Sequence, residues 1–229
     1  MSIAHCPIRR GSITATEMAT LFGLNPYSSP KKMLEQKLNP QPIMNNHVRR
    51  GKLMEPAVLE AILLDTGMET RRHNGGTLRL DEHRISATPD AYDMEGNVVE
   101  AKSISQHSFE KWYTVIPTNY HIQVHVQMLV TGATKGYIAA LEAGHPSECE
   151  FRLAFWEVTR DSTIEDLMKS EVRRFWEAVD SGNLFRVNSL MKKSMSTKLE
   201  ASSRRVYPID DPVRKTNEEK LFDVLTIFD

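Results

Sequence analysis

The chain has only two cysteines, Cys6 and Cys149, with no metal-ligand spacing between them. The absence of a four-cysteine cluster excludes an iron–sulfur nuclease, and reduced thiols of a cytoplasmic protein are the expected state. No apolar run reaches the length that spans a membrane, and the first residues lack the charged-then-apolar pattern of a secretory signal. The expected location is therefore the cytoplasm, with no membrane partner. There is no internal repeat. A strong net charge is also missing: 29 Lys/Arg against 30 Asp/Glu leave −1 at pH 7, so the protein is not globally basic.

What the chain does have is enough apolar material for a sizeable core, 40% of 229 residues, as one large domain or two small ones. Its charge is unevenly spread. Residues 1–52 carry eight Lys/Arg (Arg9, Arg10, Lys31, Lys32, Lys37, Arg49, Arg50, Lys52) against Glu17 and Glu35, which leaves −7 for the remainder. A basic segment facing an acidic remainder suits a nucleic-acid binder with a metal site, and equally a solvated helix face.

The chemistry concentrates between Asp90 and Lys102. Pro89-Asp90 is followed, after nine residues, by Glu100-Ala101-Lys102. Residues 84–88 and 97–102 alternate as strands do, and Asp93-Met94-Glu95-Gly96-Asn97 has turn chemistry, so a hairpin of these two stretches is expected. On a strand, Glu100 and Lys102 share a face while Ala101 points away and leaves its carbonyl oxygen available. Carboxylates collect hard divalent cations, which polarise a phosphodiester and activate water. An adjacent ammonium orients that water or neutralises developing charge. By itself the pattern P-D…E-x-K also fits a surface hairpin with solvated charges.

The flanking elements follow from periodicity and capping. Thr14 with Glu17 makes a capping box for a helix stopped by Gly23, and Arg9 and Arg10 stand just upstream, an arrangement that favours an anion. Pro30 opens a second helix to about Leu38. A third is expected over residues 44–66, with Val48, Leu53, Ala57, Val58, Ala61, Ile62 and Leu64 on its apolar face and Glu55 just before Pro56. Residues 103–117 read as a polar connection whose Phe109, Trp112 and Tyr113 either pack in the core, the favoured reading, or line a DNA path. Residues 119–131 read as a helix in which Gln123 and Gln127, four apart, can bind a phosphate or a water. His121 and His125 raise a zinc reading that lacks a third ligand. Residues 135–141 and 151–158 read as paired strands, and 163–181 as an amphipathic helix. After Asn188 the composition turns Ser- and Lys-rich, then acidic, which reads as a C-terminal arm over 189–229 following a domain over 1–188.

Taken in order, these blocks resemble the lambda-exonuclease and YqaJ-type viral recombinase family of PD-(D/E)xK nucleases. The blocks are Arg9-Arg10-Gly11-Ser12-Ile13-Thr14-Ala15-Thr16-Glu17, Gly51-Lys52-Leu53-Met54-Glu55-Pro56, Ser86-Ala87-Thr88-Pro89-Asp90, Val99-Glu100-Ala101-Lys102, and Tyr120-His121-Ile122-Gln123-Val124-His125-Val126-Gln127. The resemblance covers residues 8–180. It implies an α/β (α+β) restriction-endonuclease-like core, with a mixed central sheet flanked by helices. It implies Asp90, Glu100 and the Ala101 carbonyl as metal ligands, Lys102 as the catalytic lysine and Glu55 as a further acid, with Asp81 as one more candidate. Arg9, Thr16, Thr88 and Gln123 fall at the terminal-phosphate contacts, and Gln127 joins them as a DNA-side candidate.

The function this implies is 5′→3′ digestion of linear double-stranded DNA that leaves 3′ overhangs for phage-type recombination. Two Mg²⁺ ions, with Mn²⁺ substituting, would serve it. The implied partners are duplex ends, further copies in a trimeric ring and a single-strand annealing protein, in a bacterial cytoplasm with a phage or prophage gene. The rival readings are an endonuclease of the same fold and a DNA-end-binding or assembly protein with little catalysis.

Overall fold

The computed structural model describes residues 7–39, 46–143 and 151–207. A one-turn helix α1 (Pro7–Arg10) leads through β1 (Ile13–Thr14) into α2 (Ala15–Leu21), followed by α3 (Pro30–Leu38) and the long α4 (Asn46–Thr66). Strands β2 (Thr70–Arg72), β3 (Leu78–Leu80), β4 (Ile85–Ala87), β5 (Ala91–Asp93) and β6 (Val98–Ile104) come next. The chain continues through α5 (Gln106–Thr114), α6 (Thr118–Thr131), β7 (Lys135–Ala143) and β8 (Phe151–Thr159), then α7 (Ser162–Asp180), α8 (Ser189–Ala201) and β9 (Ser203–Tyr207).

Among the described residues the strands form two sheets: a larger one in the order β2-β5-β6-β7-β8-β9 and a smaller one in the order β1-β4-β3. Both are mixed. In the larger, β6 and β7 run parallel and the other pairs antiparallel; in the smaller, β1 and β4 run parallel. The expected α/β class, a mixed sheet flanked by helices, is what is found.

Alternation along the strands divides the larger sheet into two apolar faces. Val98, Ile138, Ala140, Ala154 and Trp156 pack on α5 and α6 through Phe109, Trp112, Val124 and Met128. On the other face, Ala91, Val99, Ala139, Leu141 and Phe155 pack on α4 through Val58, Leu59 and Ile62. A third core fills the space around the smaller sheet: Ile13 and Ile85 from its strands, Met18 and Phe22, then Ile122 and Val126 from α6, and Val172 and Phe175 from α7. Helix α6 therefore serves two cores from two of its sides and lies between the sheets. Gly136 permits its close approach to β7, since a Cβ there would overlap Val124.

Four expectations need correction. The hairpin partner of β6 is β5, not residues 84–88. Ala91 pairs with Val99 and Tyr92 with Val98, around a turn in which Gly96 takes φ +89° and the Asp93 carboxylate accepts from the Glu95 N–H (2.9 Å) and the Asn97 N–H (2.8 Å). Residues 85–87 belong to the smaller sheet, so Thr88-Pro89-Asp90 is the crossing from one sheet to the other.

The polar stretch after Lys102 is helical over Gln106–Thr114, because Phe109 and Trp112, three apart, reach the core together. On α4, Leu53 and Leu64 are 69% and 75% exposed, because the helix buries its other side, through Val58, Leu59 and Ile62 with Met54 and Ala61 packed beside them. Apolar residues lie on both sides of α4, and a count by periodicity merges them. Residues 189–207, read as an arm, form α8 and the edge strand β9. The Asn188 side chain caps α8, Met195 and Leu199 sit four apart in the core, and β9 pairs with β8. The rest of that tail, 208–229, lies outside the described residues.

Candidate active site

Strand β6 presents Glu100 and Lys102 toward α6, and the two are in direct contact: Lys102 Nζ donates to Glu100 Oε1. Glu100 is buried, and α6 adds two further donors. Gln123 Nε2 donates to Glu100 Oε1 and Gln127 Nε2 to Glu100 Oε2. One helical turn separates the two glutamines, so both reach the same carboxylate. Lys102 Nζ also lies 5.1 Å from the centroid of the Tyr120 ring, one turn before Gln123.

Asp90 enters from the crossing between the sheets. Its Oδ2 accepts the Ala101 N–H at 2.9 Å, at a point where β5 has ended and leaves the β6 edge open. In a strand the N–H and C=O of one residue point to the same edge. The Ala101 carbonyl therefore faces the Asp90 side, where a cation held by Asp90 would find it. Asp90 is pushed up to about 7, first by burial and then by the nearby Glu100 charge, against the opposing pull of Lys102 and the Ala101 N–H; Glu55 adds to the rise. Burial alone would lower the Lys102 ammonium, but Glu100 and Asp90 outweigh it and hold the group well above its ordinary value.

Glu55 on α4 is within electrostatic range of Asp90 but is drawn to Arg72, whose Nη2 donates to it at 2.6 Å. Among the described residues no three His, Cys, Asp or Glu side chains converge tightly enough to hold a metal by themselves. The expected cage of three acids is thus two carboxylates and a carbonyl, with the third acid tied back. The donor set is nevertheless all hard oxygen, and the mutual repulsion of Asp90 and Glu100 is what a divalent cation would relieve. These residues fit Mg²⁺ or Mn²⁺.

His121 and His125 do not join them. Their rings stack, and both Nε2 atoms lie 3.1 Å from Ser202 Oγ in a buried contact with the C-terminal segment. Asp81 also stands apart, on a 3₁₀ turn with its side chain 84% exposed, paired to Arg79 Nε at 2.9 Å.

Beside the carboxylates opens a small, half-open cleft lined by Arg9, Thr14, Ala15, Thr16, Thr77, Ser86, Ala87, Thr88 and Gln123. Arg9, Thr16, Thr88 and Gln123, which lie far apart in sequence, are brought together here. No acid pairs with the Arg9 guanidinium among the described residues. Hydroxyls face the space in pairs: Thr14 and Thr16 at 3.1 Å, and Thr88 donating to Thr77 at 3.1 Å. Gln127 does not line the cleft; it is fully buried and its amide serves Glu100. Helix α2 is only seven residues long, with its first turn tied by Glu17 Oε2 accepting the Thr14 N–H at 2.8 Å. Sequence reasoning did not single out Thr77, Ser86 or Arg72. Only the sheet pairings bring them here; Ser86 opens the Ser86–Asp90 block, which assigns it no role, and no local pattern marks Thr77 or Arg72.

A family model, the YqaJ-like viral recombinase domain, matches residues 5–134. No curated protein matches the chain. Solved proteins that share its fold include two exonucleases. One is an alkaline exonuclease, LHK-Exo, from Laribacter hongkongensis, at 17% identity and TM-score 0.59, covering 82% of this chain and 96% of that one. The same enzyme in complex with dAMP aligns at TM-score 0.54 and 17% identity, covering 85% and 93%. The other is a phage related exonuclease from Haemophilus somnus 129PT, at 12% identity and TM-score 0.53, covering 75% and 96%.

Proposed function

The chain belongs to the YqaJ-like viral recombinase family, and from that premise we propose that it is a divalent-metal-dependent exonuclease acting on linear double-stranded DNA. In this reading it works 5′→3′ from a phosphorylated end and leaves 3′ overhangs for recombination. Asp90, Glu100 and the Ala101 carbonyl hold the metal, with Glu55 available once it leaves Arg72. Bound Mg²⁺ supplies polarisation of the scissile phosphodiester and a lowered pKa for the attacking water. Lys102, whose ammonium donates to Glu100, serves as a cation that orients water or offsets phosphate charge.

Arg9, Thr16, Thr88 and Gln123 take the terminal phosphate. The observation that carries this reading is that Gln123 is shared: it lines the anion cleft and donates to Glu100, so an end phosphate seated in the cleft adjoins the metal-binding carboxylates. Each cut then delivers a new 5′-phosphate to the same cleft. The structural relative solved with dAMP is consistent with a mononucleotide product. Family membership also supports a ring-shaped homo-oligomer and a single-strand annealing protein as partner, which sedimentation of the chain and co-purification would check.

The test compares linear and closed circular duplex, with Mg²⁺ or EDTA, on 5′-phosphate and 5′-hydroxyl ends. We expect linear duplex to be consumed and circles spared, phosphorylated ends to be digested faster, and EDTA to stop the reaction. Cutting of closed circles would favour an endonuclease. Attack from the 3′ end, or equal rates on both kinds of 5′ end, would overturn the end-reading role of the cleft.

A further inference from the structure

The wall of the cleft formed by residues 8–17 has little regular structure: one helical turn, a bend and a two-residue strand before α2. Polar bonds fix it, and they centre on Lys37 of α3. Lys37 is only 7% exposed. Its ammonium donates to the Arg9 carbonyl at 3.0 Å, to the Ser12 carbonyl at 2.6 Å and to Glu17 Oε2 at 2.9 Å. Those bonds use all three ammonium protons. The same Glu17 oxygen accepts the Thr14 hydroxyl at 2.9 Å, and Thr14 Oγ1 touches Thr16 Oγ1 at 3.1 Å.

Arg84 grips the loop from the smaller sheet, donating Nε to the Gly11 carbonyl at 3.1 Å while its guanidinium lies 3.4 Å from the centroid of the Trp176 ring. It does so from a left-handed backbone at φ +52°, which a non-glycine residue adopts only when its surroundings hold it there.

A buried ammonium is costly where an apolar side chain of similar length would not be. Burial lowers Lys37 below its ordinary pKa, Glu17 opposes that, and Arg9 and Arg84 lower it further. Arg9 and Arg84 thus lie within electrostatic range of Lys37, whose carboxylate partner is Glu17, a local excess of positive charge that an anion in the cleft would relieve. Lys37 itself lines no part of the cleft, so it would act on a bound end through the residues it holds.

We propose that Lys37 is the positioning residue of the anion cleft: it clamps the Arg9–Ser12 backbone and, through Glu17 and Thr14, sets Thr16, so that Arg9 and Thr16 converge on one terminal phosphate. This inference rests on the reading of the cleft as a 5′-phosphate site.

The experiment measures kcat and KM of the full chain on duplexes with 5′-phosphate and 5′-hydroxyl ends, for wild type, Lys37→Met and Glu17→Gln, with thermal melts of each. Lys37→Met should lower kcat/KM on phosphorylated ends by about tenfold more than on hydroxyl ends, chiefly through KM, in a protein still folded at the assay temperature. Glu17→Gln, which keeps both carbonyl clamps, should reduce the end preference by a smaller factor. A merely structural lysine would lower both substrates in proportion, and a folded variant with a proportional loss or an undiminished preference overturns the proposal. If Lys37→Met does not fold, Glu17→Gln decides: an unchanged preference overturns it. If wild type shows no preference at all, the phosphate reading fails first and the proposal with it. A wild-type preference that survives both substitutions removes only the role of Lys37.

Discussion

Glu100 and Lys102 stand on an interior strand of the larger sheet, laddered to β7 and open at their level on the β5 side, with α6 above them. Arg9, Thr16 and Thr88 stand around the smaller sheet, on the one-turn α1, at the start of α2 and just past β4, where the two-residue β1 gives the backbone few ladder bonds of its own. In the first region the ladder fixes where each side chain points, and the glutamines of α6 only complete the carboxylate. In the second, side chains hold the backbone: Lys37, Arg84 and Ser12 occupy carbonyls from Ile8 to Ser12. The difference suggests a division of labour, with one region carrying the chemistry and the other the choice of end. Among the described residues, only Gln123 both lines the cleft and donates to Glu100.

The sharpest way to break that division is at Lys102. Its ammonium contacts Glu100 directly and belongs to the chemical region, so Lys102→Ala should lower kcat by about 10²–10³-fold while leaving duplex-end binding largely intact. Anisotropy with labelled duplex in Ca²⁺, beside turnover in Mg²⁺, separates the two effects. Near-normal turnover would remove Lys102 from the mechanism, and lost binding would show that the regions are not separable.

Gln127 makes a finer test, because it touches Glu100 and nothing in the cleft. Gln127→Leu keeps the bulk but strips Glu100 Oε2 of its α6 donor. Partners that orient a metal ligand are worth about 10–100-fold in metal affinity or activity. We expect a loss of that size, shifted toward higher Mg²⁺ requirement, and equal on phosphorylated and hydroxyl ends. A selective loss on phosphorylated ends would place Gln127 with the cleft after all.

The converse variant is Arg9→Ala. It removes the cleft guanidinium, which pairs with no acid among the described residues, and leaves the carboxylates untouched. A charge-assisted contact to a terminal phosphate is worth about tenfold here, and the loss should fall on KM for phosphorylated ends. An equal loss on both kinds of end would mean that Arg9 only grips duplex backbone, and raised salt would then mimic the substitution.

The same contrast explains what could be read from the chain alone. Glu100 and Lys102 were legible because i, i+2 spacing on a strand is a local rule, and so was the turn around Gly96. The core face of α7 was legible as well, through Ile164, Met168, Val172 and Phe175. The partner of β6 was misread because residues 84–88 alternate as well as 91–93 do, and only the tertiary fold decides between them. Arg72 and Thr77 carry no local mark, and Ser86 none beyond its place in the Ser86–Asp90 block, since β2, β3 and β4 acquire their meaning by pairing. Lys37 reads as one more surface lysine in a basic segment, and its burial depends on carbonyls some 25 residues away. Residues 189–207 read as an arm because few apolar groups hold them; Met195, Leu199 and the Ser202 contact with two histidines do that work.

That last contact gives the smallest effect and bears on α6, the element common to both regions. His121 and His125 project from α6 on to Ser202, and each is kept below its ordinary value, to about 3 for His121 and about 4 for His125. Burial is the main cause for both. The His125 ring adds to it for His121, and Asp161 at the start of α7 opposes it for His125. The native state holds both rings neutral, whereas the unfolded chain protonates them below about pH 6.5. The unfolded state therefore binds more protons over that range, and stability falls as pH drops from 6.5 toward 4 and then 3. Above 6.5 the contribution is fully present. Each ring should account for roughly 1 kcal/mol per pH unit within that window. Urea midpoints at pH 8 and pH 5.5, for wild type and for a His121→Gln/His125→Gln double variant, isolate this from the carboxylates, which titrate in both proteins. The double variant should lose less stability between the two pH values than wild type does. At pH 8 it should also keep the wild-type ratio of rates on phosphorylated and hydroxyl ends, because the histidines contact neither Glu100 nor the cleft. An equal acid sensitivity would show that the rings are not held neutral. A changed ratio would show instead that the Ser202 contact sets the position of Gln123, and that the C-terminal segment reaches the active site through α6.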